Sequence, residues 1–299
     1  MRPVIRLVSL SATLLAAEMW AAAPAGAAQL ANIYLDPLVG ANTADCGTPD
    51  GPCRTLNAAV GRGQAGSNFF FLKPGVYGSG VTFSYSANLN GVPGALISSA
   101  NAACLTFDPT NNNSFLNISN LICDQRGAAQ DGIVATGGKT VRFDRVFSRN
   151  IGGNRCAARF APASGAVMKV MINDSGFTEQ SATAGNANGG LCFQPTNNAS
   201  IDAVVRNTLL QNVRSGISAS GFSIVFVDGS EFSENAVGIF AGGSSSFCVR
   251  NSTFSRNGTS TFVKANNGTV FAADVNTIGL FQNGTDPAFD GPCPAGGAG

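Results

Sequence analysis

Residues 227–243 read VDGSEFSENAVGIFAGG. An alternating apolar run meets an Asx-type residue close to a Ser. A lone Phe follows, then a polar Ser-x-Asn, then a Gly-Ile pair closed by Gly-Gly. Versions of this string begin near Ser114, Lys139, Ala166, Ala199, Ser223, Ser245 and Thr269, at intervals of roughly 22 to 33 residues. Aligning them places Ile122, Phe147, Phe177, Leu210, Phe232, Phe254 and Leu280 in one column. The column before it holds Asp144, Asp174, Asn207, Gly229 and Asn251, mostly short hydrogen-bonding side chains. A third holds Ile133, Leu191, Ile217, Ile239 and Phe262, each near a Gly.

Each repeat therefore supplies three short strands, separated by turns, to three parallel sheets. In such a stack equivalent residues lie one strand spacing apart, about 4.8 Å, so like packs on like. The competing fold, an antiparallel sandwich, needs hairpin turns between neighbouring strands and gives no reason for the same residue to recur at this period. The chain has 21 Phe beside three Tyr, which suits rings stacked in a dry interior with no hydroxyl to satisfy.

Ahead of the repeats, residues 32–36 (NIYLD) alternate like a strand and lead into a Gly/Asp/Asn-rich loop. Cys46 and Cys53 bracket the turn TPDG in that loop. Residues 54–60 (RTLNAAV) favour a short helix with Leu56 and Val60 on one face, and 69–72 (FFFL) run into a Pro-Gly turn. The segments YLDP, CGTPDGPCRTLNAAV and FFLKPGVY resemble the N-terminal cap of right-handed parallel β-helix proteins, the pectate-lyase-like superfamily. The resemblance implies an all-β, right-handed parallel β-helix with three parallel sheets. It also implies a short N-terminal helix over the otherwise open first turn, where unpaired backbone groups need cover. The expected organisation is a cap with irregular early turns at 29–113, regular rungs at 114–291 and a loose tail at 292–299.

Residues 1–28 read as a secretory signal peptide. Arg2 and Arg6 form the charged region, 7–17 the short apolar core, and Ala25-Gly26-Ala27 the small residues for cleavage. No later stretch is apolar enough to span a membrane, so a secreted or periplasmic protein, expected as a monomer, follows. Without the leader 16 basic and 16 acidic residues remain. That balance argues against nucleic acid as a partner and against general attraction to membranes. Eight Cys in an exported chain point to disulfides. Cys46 and Cys53 form one candidate pair. Cys104 and Cys123 lie about one rung apart, and Cys156 and Cys192 share the third-strand column. Cys248 and Cys293 can bond only if the end of the chain folds back.

The chain has no His. This removes Ser-His-Asp and Cys-His hydrolysis and His-ligated metals. It also leaves no match to the His-containing motifs of polygalacturonase-like hydrolases and mannuronan epimerases. The family resemblance leaves lyase chemistry, in which Arg or Lys takes a proton beside a uronic carboxylate with help from calcium. The family's groove corresponds to the third strand of each repeat, entered here by loops 124–131, 149–155 and 179–190. Eight of the 18 Lys and Arg fall between Arg126 and Lys169, around those loops. Arg155 and Arg159 are the candidate base or carboxylate clamp, and Arg149 a second clamp. Asp131, Glu179 and Arg126 are candidate substrate residues; Asp131 and Glu179 could instead offer hard oxygen ligands to Ca²⁺, whose binding residues stay unknown. The plainer reading makes all of these solvated turn residues.

Asp36, Asn42, Asp45 and Asp50 form a second oxygen-rich loop, without EF-hand spacing and better explained by turn formation. The same holds for the Asn-x-Ser/Thr triplets at Asn117, Asn198, Asn251, Asn257, Asn267 and Asn283. No Trp survives leader removal, and Tyr34, Tyr77 and Tyr85 all lie near the N-terminus, so a broad aromatic sugar-binding face is not expected. No reaction motif is present, and the sequence leaves open whether the protein is an enzyme. The favoured expectation is a non-catalytic surface or envelope protein binding an acidic polysaccharide or another cell-surface protein, without a cofactor. The alternative is a lyase cleaving a uronate polymer by β-elimination.

Overall fold

The computed structural model describes residues 31–64, 66–78, 80–99, 101–126, 130–150, 152–153, 155–178, 189–258, 260–278 and 290–293. The expected signal peptide, Glu179 with most of its loop, Leu280, Asn283 and the last six residues lie outside them. The described strands coil through three faces per turn, and their pairings are parallel. The first sheet stacks strands from Asn32–Leu35 through Asn68–Leu72, Val167–Asn173 and Phe222–Asp228 to Thr269–Ala273. The second runs from Gly75–Gly78 to Asn276–Ile278, and the third from Val81–Phe83 to Ser260–Lys264. Two long strands, Phe115–Asp124 and Thr140–Arg149, run unbroken round the first corner. They join the first two sheets into one hydrogen-bonded sheet of 17 strands beside the eight of the third.

The repeated string is explained corner by corner. At the first corner the backbone turns through a left-handed residue: Asn120, Arg145, Asp174, Asn207, Gly229, Asn251 and Asp274, with φ between 47° and 58°. Asn, Asp and Gly tolerate that conformation best, hence the Asx column. The following hydroxyl is buried. Ser230 Oγ accepts from Thr208 N–H at 3.2 Å, Ser252 Oγ accepts from Ser230 N–H at 3.2 Å, and each hydroxyl donates back to the carbonyl two residues earlier. At the second corner the amides of Asn235 and Asn257, 1% and 2% exposed, do the same work. Asn257 Oδ1 accepts from Asn235 N–H and its Nδ2 donates to Phe232 O. These ladders satisfy the orphan backbone groups of the bends, as burial requires.

Between the corners Phe177, Leu210, Phe232 and Phe254 stack inside the second sheet. The Phe232 and Phe254 rings are 4.5 Å apart and nearly parallel. Their edges press on the third sheet. A methyl group at Gly216 would sit 2.5 Å from Phe232 Cδ1, and one at Gly238 would sit 2.7 Å from Phe254 Cδ1. The Gly of the Gly216-Ile217 and Gly238-Ile239 pairs therefore leaves the space taken by the ring of the next turn.

The backbone register corrects two columns. Phe177 pairs with Ser148, not Phe147, and Ser148 pairs with Cys123, not Ile122. The left-handed corner falls on Arg145, not Asp144. A one-residue slip moves a side chain to the opposite face of a strand. Phe147 accordingly points outward, 47% exposed, with its ring over Gly176. It belongs to an outward column of Val76, Leu96, Ile122, Phe147, Gly176 and Leu209.

Both ends of the stack have their backbone edges covered. Against Asn32–Leu35 the 46–53 loop donates and accepts in turn: Tyr34 N–H to Gly47 O at 2.9 Å, Asp36 N–H to Cys53 O at 2.9 Å, and Cys53 N–H to Tyr34 O at 2.8 Å. The helix Leu56–Val60, N-capped by Thr55, buries Leu56 and Ala59 beside this loop; Val60 is only partly covered. The loop, not the helix, meets the backbone groups of the first strand. At the far end residues 290–293 fold back over Thr269–Ala273. Asp290 N–H donates to Val270 O at 2.9 Å, and Ala272 N–H to Gly291 O at 3.1 Å.

All eight cysteines are bonded: Cys46–Cys53, Cys104–Cys123, Cys156–Cys192 and Cys248–Cys293, with Cα separations of 4.7, 5.9, 6.0 and 5.2 Å. The first and last tie the two edge covers in place. Four disulfides fit an oxidising compartment. Among the described residues no helix is long and apolar enough to cross a membrane.

The far-end cover contains an acid-sensitive contact. Asp290 accepts from Lys264 Nζ at 2.8 Å and from Val270 N–H at 2.7 Å, and these bonds hold its pKa below the ordinary 3.8. A depressed carboxyl contributes stability that is fully present above its unfolded value, near 4, and lost as pH falls through the folded value. Hydrogen-exchange protection of Thr269–Ala273 is expected to fall on acidification below about pH 4, and Asp290→Asn to remove that pH dependence. Protection unchanged between pH 6 and 3 in the parent protein would contradict this.

Candidate functional site

The loops entering the third sheet gather charge as expected, but the charges neutralise one another. Arg149 follows its second-sheet strand outward, and its register partner one rung earlier is Asp124. Arg149 Nε lies 3.1 Å from Asp124 Oδ2. The other oxygen of Asp124 accepts from Asn150 Nδ2 at 3.1 Å and from Arg126 N–H at 3.0 Å. Burial by itself would raise the Asp124 pKa; the Asn150 amide, the Arg126 N–H and the Arg149 guanidinium outweigh it and hold the carboxyl below its usual value.

Arg159 stands outward on the third-sheet strand Ala158–Phe160, its Nε 2.8 Å from Asp131 Oδ2 but with the N–H not aimed at that oxygen. Asp131 is 8% exposed, and its Oδ1 accepts from Cys156 N–H at 2.9 Å, so the carboxylate also pins the disulfide-bearing loop. Gln125, fully buried, donates from Nε2 to Asp131 O at 3.3 Å and links the two clusters.

Of the residues expected from sequence, Arg149, Arg159, Arg126 and Asp131 all lie along this corner. Arg149 and Arg159 are paired, and Asp131 is buried. Arg126 contributes its backbone and carries an exposed side chain in a left-handed conformation. Arg155 is exposed, with no ion pair among the described residues. Glu179 falls outside them. Asp124, Asn150 and Gln125 were not singled out by sequence. The available signal was opposite charge at Asp124 and Arg149, one rung apart in the same column.

The face these loops border is buried at three of its strands and half-exposed at Arg159, which lies between them. Val134, Cys192 and Ser218, the outward residues of three third-sheet strands, are 7%, 0% and 3% exposed. Among the described residues no group of three His, Cys, Asp or Glu could hold a metal ion. In the N-terminal loop Asp36 accepts from Leu38 N–H and Val39 N–H and pairs with Lys73 at 3.1 Å. Asn42 accepts from Thr55 N–H. Asp36 spends one oxygen on its own turn, and Asn42 spends its oxygen on Thr55, thirteen residues on. The sequon residue Asn257 is buried and Asn251 Nδ2 donates to Asp228, again as bend residues.

Two surface depressions lie on the other sheets. One, of about 330 Å³, is lined by Pro93, Ile122, Arg145 and Phe147 on the second. The other, of about 280 Å³, is lined by Phe115, Asn117, Thr140, Arg142 and Met171 on the first.

The stacked three-sheet coil defines a right-handed parallel β-helix protein, the hand taken by parallel crossovers in general. Among solved structures, the pectin methylesterase from Aspergillus niger is similar at 12% identity over 91% of each chain, with a TM-score of 0.40. The A-modules of two Azotobacter vinelandii mannuronan C-5 epimerases, AlgE6 and AlgE4, are 14% and 13% identical. They cover 76% and 77% of this chain and 89% and 91% of theirs, with TM-scores of 0.27 and 0.29. At this distance no residue role passes from them to this chain. No protein-family model and no curated protein matches the sequence.

Proposed function

We propose that this is an exported, non-catalytic β-helix protein that binds an acidic polysaccharide or another protein at a cell surface. One observation carries the reading: the corner where this architecture would do proton-transfer chemistry is occupied by its own ion pairs. Arg149 lies against Asp124 and Arg159 against Asp131. A guanidinium is a poor base at neutral pH, and here both are engaged by carboxylates. The eight bonded cysteines support export, to the periplasm or beyond.

The lyase reading keeps one specific support, the exposed Arg155. Incubating the purified protein with polygalacturonate, alginate and glycosaminoglycans, with and without calcium, should give no ultraviolet-absorbing unsaturated product. A calcium-dependent product abolished by Arg155→Ala would replace the binding reading with the lyase one.

A further inference from the structure

We propose that the outward face of the second sheet, over its first six rungs, docks a second copy of this chain. The product is a weak two-fold dimer, in place of the monomer expected from sequence. The dimer stands whether or not another face binds a glycan.

This face carries one continuous apolar column. Val76, Leu96, Ile122, Phe147, Gly176 and Leu209 follow one another rung by rung. Val76 is 55% and Phe147 47% exposed, and Leu96, Ile122 and Leu209 are partly exposed. Beyond Leu209 the column turns polar, with Glu231, Thr253 and Asn276. Val167, Phe222 and Ile224 on the first sheet are also exposed, but Ser200, Lys169 and Asp202 interrupt them. Monomeric proteins seldom leave a contiguous apolar strip of several rungs in water.

The strip is complementary to itself. A two-fold axis along the strand direction, between the rungs of Ile122 and Phe147, keeps each column in place and reverses the order of the rungs. Phe147 of one copy then lies opposite Ile122 of the other, Leu96 opposite Gly176, and Val76 opposite Leu209. Within each copy the Phe147 ring leans over Gly176, where an added methyl group would lie 2.8 Å from Cδ1. On the other side of the ring is the depression of about 330 Å³, lined by Pro93, Gly94, Ile122 and Phe147. A ring that leans towards its own Gly176 leans, across the axis, towards Leu96 and Pro93 of the second copy. Each Phe147 therefore enters the other copy's depression, the reciprocal fit that an isologous contact requires.

The charges obey the same axis. Asp124 and Arg149 are the next outward positions along the strands of Ile122 and Phe147, one rung apart in register. Arg149 of one copy thus comes over Asp124 of the other. Arg145 comes opposite Asn120, the residue it already donates to within its own copy, Nε to Oδ1 at 2.6 Å. Opposite signs meet across the contact, and neither sign is in excess to select a polyanion or a polycation. Six rungs at about 4.8 Å and strands of about five residues make a face of roughly 29 Å by 16 Å. Two copies then bury on the order of 1,000 Å², the lower end of specific interfaces, so dissociation is expected in the micromolar range.

The test is sedimentation velocity of the purified protein from about 5 to 500 µM, with cross-linking to check the axis. All eight cysteines are bonded, so an introduced surface thiol is the only free one. Val76 and Leu209 lie five rungs apart in one copy, about 24 Å, and can join only across the axis. Circular dichroism like that of the parent would show that each variant is folded.

The expected result is a monomer–dimer equilibrium, weakened about tenfold or more by Phe147→Ala and abolished by Phe147→Glu. Phe222→Glu/Ile224→Glu, on the first sheet, should leave it unchanged. Val76→Cys mixed with Leu209→Cys and oxidised should give a covalent dimer, and either variant alone none. A parent protein that stays monomeric throughout the range would overturn the proposal. So would dimerisation kept in Phe147→Glu and lost in Phe222→Glu/Ile224→Glu, which would move the contact to the first sheet. Loss in Phe147→Glu without the mixed cross-link would overturn this two-fold arrangement.

Discussion

Replacing Phe232 with alanine is expected to cost about 3–5 kcal/mol, whereas Phe147→Ala should cost no more than about 1. The two residues are equivalent in the repeat as read from sequence, so the contrast tests the register directly. Phe232 is fully buried, stacked on Phe254 at 4.5 Å, and its ring occupies the space left by Gly216. Truncation leaves a cavity that the stacked rungs above and below cannot close without shifting their own hydrogen bonds, and it removes a ring pair worth about 0.5–1.5 kcal/mol beyond its area. Phe147 is half exposed and covers only Gly176. Urea denaturation followed by both circular dichroism and hydrogen exchange is the appropriate measurement, because stacked repeats unfold in parts. Equal losses for the two variants would mean that Phe147 lies inside and that the described register is wrong.

Removing the Cys248–Cys293 bond is expected to cost about 2–4 kcal/mol and to open the far end of the coil first. The bond closes a chain segment of 45 residues, for which the chain-entropy account gives about 4 kcal/mol. It also holds Asp290 and Gly291 against Val270 and Ala272, on the outer edge of the last described strand of the first sheet. In Cys248→Ser/Cys293→Ser, Thr269–Ala273 should lose hydrogen-exchange protection before any earlier rung. The freed edge should also promote self-association, seen as concentration-dependent light scattering. Retained protection of Thr269–Ala273 would show that the backbone bonds and the Lys264–Asp290 pair suffice alone.

The register error has a physical origin. Asp144-Arg145-Val146-Phe147 and Asp174-Ser175-Gly176-Phe177 have the same spacing of acid and ring, so the eye aligns them. That alignment sets Arg145 in the buried hydroxyl column of Ser175, Thr208, Ser230 and Ser252, where nothing would pair its charge. The chain instead slips by one. Val146 goes inside, Arg145 takes the left-handed corner, and Phe147 turns to solvent. The charged corner was legible as a location, because loops 124–131 and 149–155 are next to each other in any parallel stack of this period. Its neutralisation was not. Asp124 meets Arg149 across 25 residues and Asp131 meets Arg159 across 28, and both meetings depend on the register.

The repeat period by itself determined the parallel coil, the three strands per turn, the stacking of Phe on Phe and the cysteines that can reach one another, because strand spacing forces equivalent residues into contact. Only the tertiary structure decided which side of each strand faces water. It pairs Arg149 and Arg159 with carboxylates, and it brings Tyr34, Phe69 and Phe71 from two strands onto one outer face. Those outcomes turn on single-residue register and on contacts between rungs, and in a structure with a two-residue side-chain period a one-place shift reverses them all.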